Sequence, residues 1–174
     1  MELDILHESE QIRHPALIKY IHSRGLEPQH FSDIAKEIHW AKGERSFFGL
    51  GVLNDNGGYS IRSGVFKFNI GPNTVSTIQI GNKPAGNKIF EGGFDSASYR
   101  KIDPSASYHA ILLNGLANLT HLYMEDTGSR ASKLDYPVEL YLDNDRAGDT
   151  KTAQAKKVIK VSEDKRGLYG TSRI

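Results

Sequence analysis

Cysteine is absent from all 174 residues. This excludes disulfides, thiolate nucleophiles, cysteine-based zinc sites and iron–sulfur clusters from the chain, and it is compatible with a reducing compartment. No apolar run approaches the roughly 18 residues needed to cross a bilayer. The opening stretch, residues 1–11, carries Glu2, Asp4, Glu8 and Glu10; lacking a basic start and an apolar stretch, it does not read as a signal peptide. The 7 histidines include no HExxH and no pair four residues apart, so a histidine zinc site is not expected. Repeats and low-complexity tracts are missing too.

What remains is an ordinary globular composition, 38% hydrophobic and 25% charged, long enough for one domain or a compact domain with a smaller subdomain. The net charge of +1 hides an asymmetry: residues 1–145 hold 14 Lys/Arg against 18 Asp/Glu, and residues 146–174 hold 8 against 3. A solvated helix and tail explains that surplus, and so does a local basic face for a polyanion.

The first residues read as a frayed end or linker. Pro15 to Arg24 reads as a helix, with proline in its first turn, Leu17, Ile18 and Ile21 as an apolar stripe and Gly25 as its stop. A second helix is predicted from Glu27 or Pro28 to Glu37, with Phe31, Ile34 and Ala35 inward. Period two follows. Ser46–Leu53, the turn signal Asn54-Asp-Asn-Gly-Gly58, Tyr59–Phe68 and Thr74–Ile80 predict an antiparallel meander. Gly49 and Gly51 inside a strand predict a bulge or a close packing contact. After the loop from Gly81, short buried strands at residues 88–90, 108–113 and 137–142 alternate with helical stretches at 94–100, 116–126 and 149–161. That alternation implies a parallel sheet with crossover helices.

Ligands of open α/β sheets bind beyond the carboxyl ends of the strands. Here those ends carry Glu91-Gly92-Gly93 with Asp95 close behind, Asn114-Gly115, and Asp143-Asn144-Asp145. With 21 acidic residues in 174, chance gives about 2.5 acidic-x-acidic pairs, so the spacing of Asp143 and Asp145 alone means little. Their position, directly after Leu140-Tyr141-Leu142, is what separates them from the other pairs. Two carboxylates on one side of an extended stretch, with Glu91 from a neighbouring strand, repel one another unless a cation such as Mg²⁺ holds them. A polar turn in which Asp145 or Asp149 caps the next helix fits the same residues. Gly81-x-x-x-x-Gly86-Asn87-Lys88 imitates a phosphate loop, but it lacks the Lys-Ser/Thr ending and leads into a strand.

Ile89-Phe90-Glu91-Gly92-Gly93-Phe94-Asp95 resembles the EGxxD motif of the Toprim domain in bacterial-type DNA primases. Tyr141-Leu142-Asp143-Asn144-Asp145-Arg146-Ala147-Gly148 resembles its DxDxAG motif, and Leu112–Leu119 resembles the strand and glycine turn between them. The leading segment, with His14-Pro15, Asn54–Tyr59 and Arg62, resembles the small subdomain before Toprim in primases of mobile elements from Bacteroides-type bacteria. The resemblance implies an α/β fold: a Toprim domain at residues 84–174, a Rossmann-like parallel sheet flanked by helices. An α+β subdomain with two helices and an antiparallel meander precedes it at residues 1–83.

It also implies a Mg²⁺-dependent (or Mn²⁺-dependent) nucleotidyltransferase that makes RNA primers on single-stranded DNA from NTPs, in the cytoplasm and away from membranes. Glu91 would act as general acid/base or join Asp143 and Asp145 at the metal site. Asp95, Asn114 and Gly115 would support the site, and Arg62, Lys67 and Arg146 would face nucleotide and template. A replicative helicase and a zinc-binding module of the same full-length protein are the implied partners; this chain itself holds no zinc ligands of that kind. Such cores usually continue with a further strand, which this sequence does not reveal before Ile174, so the Toprim part reads as shortened. A Toprim nuclease and a non-catalytic nucleic-acid-binding module are the alternatives.

Overall fold

The structure is a computed structural model that describes residues 3–122, 138–143, 145–158 and 161–164. Its first sheet is an antiparallel meander in the order β1-β2-β3-β4-β5, built from Asp4–Ser9, Lys36–Lys42, Arg45–Leu53, Tyr59–Arg62 and Lys67–Ile70. Helix α1, Pro15–Ser23, buries Leu17 and Ile21 against one face. The second sheet holds β6 (Ser76–Ile80), β7 (Asn87–Phe90), β8 (Tyr108–Leu112), β9 (Val138–Tyr141) and β10 (Val161–Asp164). Its order is β10-β9-β7-β8-β6, with β6 antiparallel at the edge and the other four parallel. Helix α2, Gly93–Ile102, joins β7 to β8, and α3, Arg146–Val158, joins β9 to β10.

The second sheet is buried on both faces, which is why its strands read as almost continuous apolar runs. Phe90, Tyr108, Ala110, Leu112 and Tyr141 pack with Ala97 of α2, whereas Ile89, Ile111, Leu113, Val138 and Leu140 pack with Ala155 of α3. The first of these clusters also contains Leu17, Ile21, Leu50 and Val52, so the two sheets share one core.

A side chain at Gly49 would put a Cβ 2.7 Å from Ile61 Cγ2, and one at Gly51 would collide with Ile38 Cγ1. The two glycines let Ile38 and Ile61 meet over the strand, the close packing contact the sequence predicts. They close a second small core of Trp40, Tyr59 and Ile70.

Several expectations need correction. The supposed frayed start is β1, paired with β2 and tied by the Tyr59 hydroxyl donating to Glu8 Oε2 at 2.7 Å. The predicted second helix is a single 3-10 turn, Pro28–Phe31, after which Asp33 takes φ 65° and the chain enters β2. Phe31, Ile34 and Ala35 are buried as expected, because a tight turn can bury the same three positions. The strand expected to complete the first sheet is β6, which pairs with β8. Residues Leu116–Leu122 form a 3-10 segment; the rest of the helix expected there lies outside the described residues. Where a helix was expected to reach Val161, α3 spans Arg146–Val158 and Val161–Asp164 form the strand β10.

Candidate active site

The second sheet reverses direction of growth at β7: the chain goes from β7 to β8 on one side, then to β9 and β10 on the other. The crevice outside the carboxyl ends of β7 and β9 is therefore the switch point where such sheets bind ligands. Glu91 follows the last residue of β7. Asp143 lies two residues beyond β9, and Phe90 and Tyr141 are register partners. The Asp143 N–H points at Glu91 Oε2 across 3.4 Å. Asp145 sits at the entrance to α3, where its Oδ1 accepts from the Gly148 N–H at 2.8 Å and its carbonyl accepts from the Asp149 N–H at 2.8 Å. The capping role open to Asp145 in the sequence is thus realised. Asp95, in the first turn of α2, accepts the Gly92 N–H at 2.9 Å.

These carboxylates feel one another. Burial and then Asp143 push the Glu91 carboxyl above the ordinary range; Asp145 adds to this, and the Asp143 N–H and Lys67 oppose it. Burial, then Asp143 and Glu91, push Asp95 up to about 7. The opposing charge comes from the other sheet. Arg62 and Lys67 are register partners at the β4–β5 hairpin. Partial burial and Arg62 lower the Lys67 pKa, while Glu91, Asp143 and Asp95 raise it; Arg62 lowers that of Asp95. The two basic residues singled out in the sequence thus face the acidic ones.

Two motif positions do different work. Asn114, at φ 56°, donates from Nδ2 to the Thr74 carbonyl at 2.9 Å and to Ser76 Oγ at 2.8 Å, so its side chain fastens β8 to the β6 edge. Gly115 takes φ 139°, a conformation open to glycine. Arg146 is exposed at the start of α3. Gly148 is fixed by close approach: a Cβ there would strike the Asp143 carbonyl, so the motif glycine lets α3 fold back on the strand end. Gly93 likewise lies against Val52, 2.9 Å from where a Cβ would sit, and ties the Glu91 loop to the first sheet.

Beneath the crevice is an ion pair that the sequence reading passed over. Lys88 of β7 donates to Glu139 Oε2 of β9, and the Tyr141 hydroxyl donates to the same oxygen at 2.7 Å. The Lys88 ammonium lies 4.9 Å from the Tyr99 ring centre and 5.4 Å from that of Tyr141. The available signal was one charge of each sign inside two apolar runs destined to be neighbours.

Among the described residues, no three His, Asp or Glu side chains are gathered closely enough to enclose a metal ion, and no helix is long and apolar enough to cross a membrane.

A family model described as "Domain of unknown function (DUF8464)" matches residues 6–71, the first sheet with Arg62 and Lys67. No curated protein matches the chain in sequence. Among solved structures, the chain is similar to the primase fragment of the bacteriophage T7 primase-helicase, with TM-score 0.57 and 14% identity over 82% of this chain. It spans 62% of the length of that fragment. It is also similar, with TM-score 0.56 and 15% identity, to a chain in a T7 complex of lagging-strand DNA polymerase with two primase domains bound to an RNA/DNA hybrid and dTTP; there the match covers 79% of this chain and 72% of that one. The fold is primase-like.

Proposed function

We propose that this chain is the core of a primase-like nucleotidyltransferase. It would extend RNA primers from NTPs on single-stranded DNA in the replication of a chromosome, plasmid or mobile element. Glu91, Asp143 and Asp145 would form a Toprim-type acidic site. The observation that carries this reading is the meeting of Glu91 and Asp143 at the β7–β9 switch point with Arg62 and Lys67 opposite. Carboxylates beside guanidinium and ammonium groups suit a substrate that is itself a polyanion: the cations take phosphates, and the acids handle a proton and a cation.

Mg²⁺ fits this donor set. It prefers hard oxygens, is commonly held by one or two carboxylates, and keeps waters and substrate phosphates for the rest of its shell. Asp143 and Asp145 would hold it, with Glu91 beside them; bound there, it would neutralise charge on the transferring phosphate. Glu91, its pKa raised by burial and by Asp143, would take the proton from the attacking hydroxyl at its carboxylate. Asp95 would brace the Glu91 loop through its bond to the Gly92 N–H. Arg62 and Lys67 would hold template or nucleotide phosphates, and Arg146 would reach the phosphates from the α3 side. In the cell this core would work in the cytoplasm with a zinc-binding module and a replicative helicase.

Two measurements on one set of proteins test the reading. Calorimetric titration with Mn²⁺ is expected to give weak binding to the wild type and none to the Asp143→Asn/Asp145→Asn variant. Radiolabelled NTP incorporation on single-stranded DNA is expected for the wild type, and Glu91→Gln is expected to lower it by about 10²–10⁴-fold while leaving the melting temperature nearly unchanged. Equal Mn²⁺ binding by both proteins, or a Glu91→Gln variant as active as wild type, would remove these residues from the chemistry. Loss of the DNA strand without NTPs would make the site a nuclease.

A further inference from the structure

The ion pair beneath the crevice lies where the two site strands take their register. Across the parallel strands β7 and β9, Lys88 is the partner of Glu139 and Phe90 that of Tyr141. The Lys88 side chain is 13% exposed and that of Glu139 26%. Among the described residues, Lys88 forms no ion pair with any other carboxylate. Its ammonium stands 5.7 Å from the Tyr108 ring centre, in addition to those of Tyr99 and Tyr141, distances at which aromatic faces attract a cation. Residues of β7, β8, β9 and α2 thus meet at one nitrogen. The Tyr141 hydroxyl, bonded to Glu139, is 3.4 Å from it. One layer higher, Phe90 stacks on Tyr141 with ring centres 4.9 Å apart. Glu91 comes next on one strand and, after Leu142, Asp143 on the other.

The apolar pattern alone does not fix this register. On the α3 face, Ile89 packs in one cluster with Val138, Leu140 and Leu142. A shift of β9 by two residues keeps apolar against apolar there and leaves every side chain on its own face. The connection from β7 to β9 runs through α2 and β8, so it sets no register as a tight hairpin would. On the α2 face the same shift is costly. It sets Lys88 against Tyr141 and Phe90 against Asp143 or, in the other direction, Phe90 against Glu139. Either way the pair is broken and a charge is left unpaired in a largely buried place, which costs far more than the pair contributes. Strand β10 pairs with β9, and α3 joins the two, so they would slide as a unit. Asp143 and Asp145 would then move about 6.6 Å along β7 relative to Glu91.

We infer that Lys88 and Glu139 are positioning residues: their pairing is the register key that sets Asp143 against Glu91. The register bears on a reaction only through the function proposed above. The pair touches none of the reacting groups; it acts through the strands that carry them.

The test compares the full chain with Lys88→Met/Glu139→Leu and with Lys88→Arg, by NMR of isotopically labelled protein and by NTP incorporation. Wild type is expected to show one set of cross-strand contacts, Ile89 with Leu140 and Phe90 with Tyr141. Lys88→Arg keeps a cation for Glu139 and the rings and should show the same set. The double variant replaces both charges by apolar side chains of similar volume, a change that commonly leaves stability equal or higher. Its melting temperature should be at or above that of wild type. It is expected to show a second set of contacts displaced by two residues, with the two registers within about three-fold of each other in population. The kcat for incorporation should fall by the displaced fraction while KM stays unchanged, because molecules in the native register keep an intact site.

A double variant with one native register and wild-type kcat would overturn the assignment. So would a double variant that no longer folds, since the pair would then serve stability alone, or a displaced register in Lys88→Arg as well. Incorporation separates this result from the proposed function. A displaced register in a chain that incorporates no NTP keeps the key and removes the enzyme; full incorporation by an undisplaced double variant does the reverse.

Discussion

Asp95 shows what the crowding of acids costs a single residue. Its carboxyl moves from the ordinary 3.8 to about 7, first through burial and then through Asp143 and Glu91. Between those pH values the folded chain keeps a proton that the unfolded chain has released. Stability contributed at this site therefore falls as pH rises from about 4 to about 7, and the loss is complete above that range. Asp95→Asn removes the charge but still offers an oxygen to the Gly92 N–H. In metal-free buffer the variant is expected to be more stable than wild type at pH 8 by on the order of 4 kcal/mol, and to match it near pH 4. Melting temperatures measured across that range would check this; two parallel curves would show that Asp95 titrates as an ordinary surface acid. Glu91 shifts in the same direction for the same leading cause, burial, with the charge of Asp143 next.

At the scale of elements, β3 is where the first sheet is decided. Gly51 lies under Ile38, with Ile61 Cδ1 and Tyr59 Cδ1 each 3.1 Å from the place of a Cβ. Gly51→Ala overpacks a closed core and is expected to destabilise by about 1–3 kcal/mol. Combined with Ile38→Ala, which vacates the contested space, it should cost measurably less than the sum of the two single changes. Denaturant midpoints of the four proteins supply the cycle, and strict additivity would mean that Gly51 and Ile38 do not contest the same space. The two glycines were visible in the sequence as an irregularity. So were the ends of β7 and β9, because buried strands leave dense apolar runs and their polar tips stand out. The second helix was misread because Phe31, Ile34 and Ala35 satisfy a helical period that a 3-10 turn with a left-handed Asp33 also satisfies. The start of the chain was misread because β1 is an exposed edge strand with no apolar alternation to betray it. The meeting of His7, His39 and His14 could not be read at all: the β1–β2 register brings the first two together and the start of α1 brings the third, and no local pattern encodes either.

For the whole molecule, the acids belong to one sheet and their facing cations to the other, so the site exists only while the two sheets hold a fixed relation. Composition and strand spacing cannot say whether they do; β6 was assigned to the wrong sheet for that reason. The packing can. Leu17, Ile21, Phe31, Leu50 and Val52 lie in the same buried cluster as Phe90, Ala97, Tyr108, Leu112 and Tyr141, and Gly93 allows the Glu91 loop to lie directly on Val52 and Ile34. Residues 6–71, the segment that the family model matches, would expose half of that cluster if separated from the rest. The described residues should then unfold as one cooperative unit. Leu50→Ala in β3 and Leu112→Ala in β8 remove side chains that are 2% and 0% exposed, and each is expected to cost about 2–5 kcal/mol. For a chain of this size that is a fall of roughly 5–15 °C in melting temperature. The expected calorimetric result is one transition that both substitutions shift to similar extents. Two transitions, with Leu50→Ala moving only one and Leu112→Ala only the other, would mean that the sheets melt independently. Arg62 and Lys67 would then meet the acids only part of the time, and substrate rather than the shared core would have to bring the two halves of the site together.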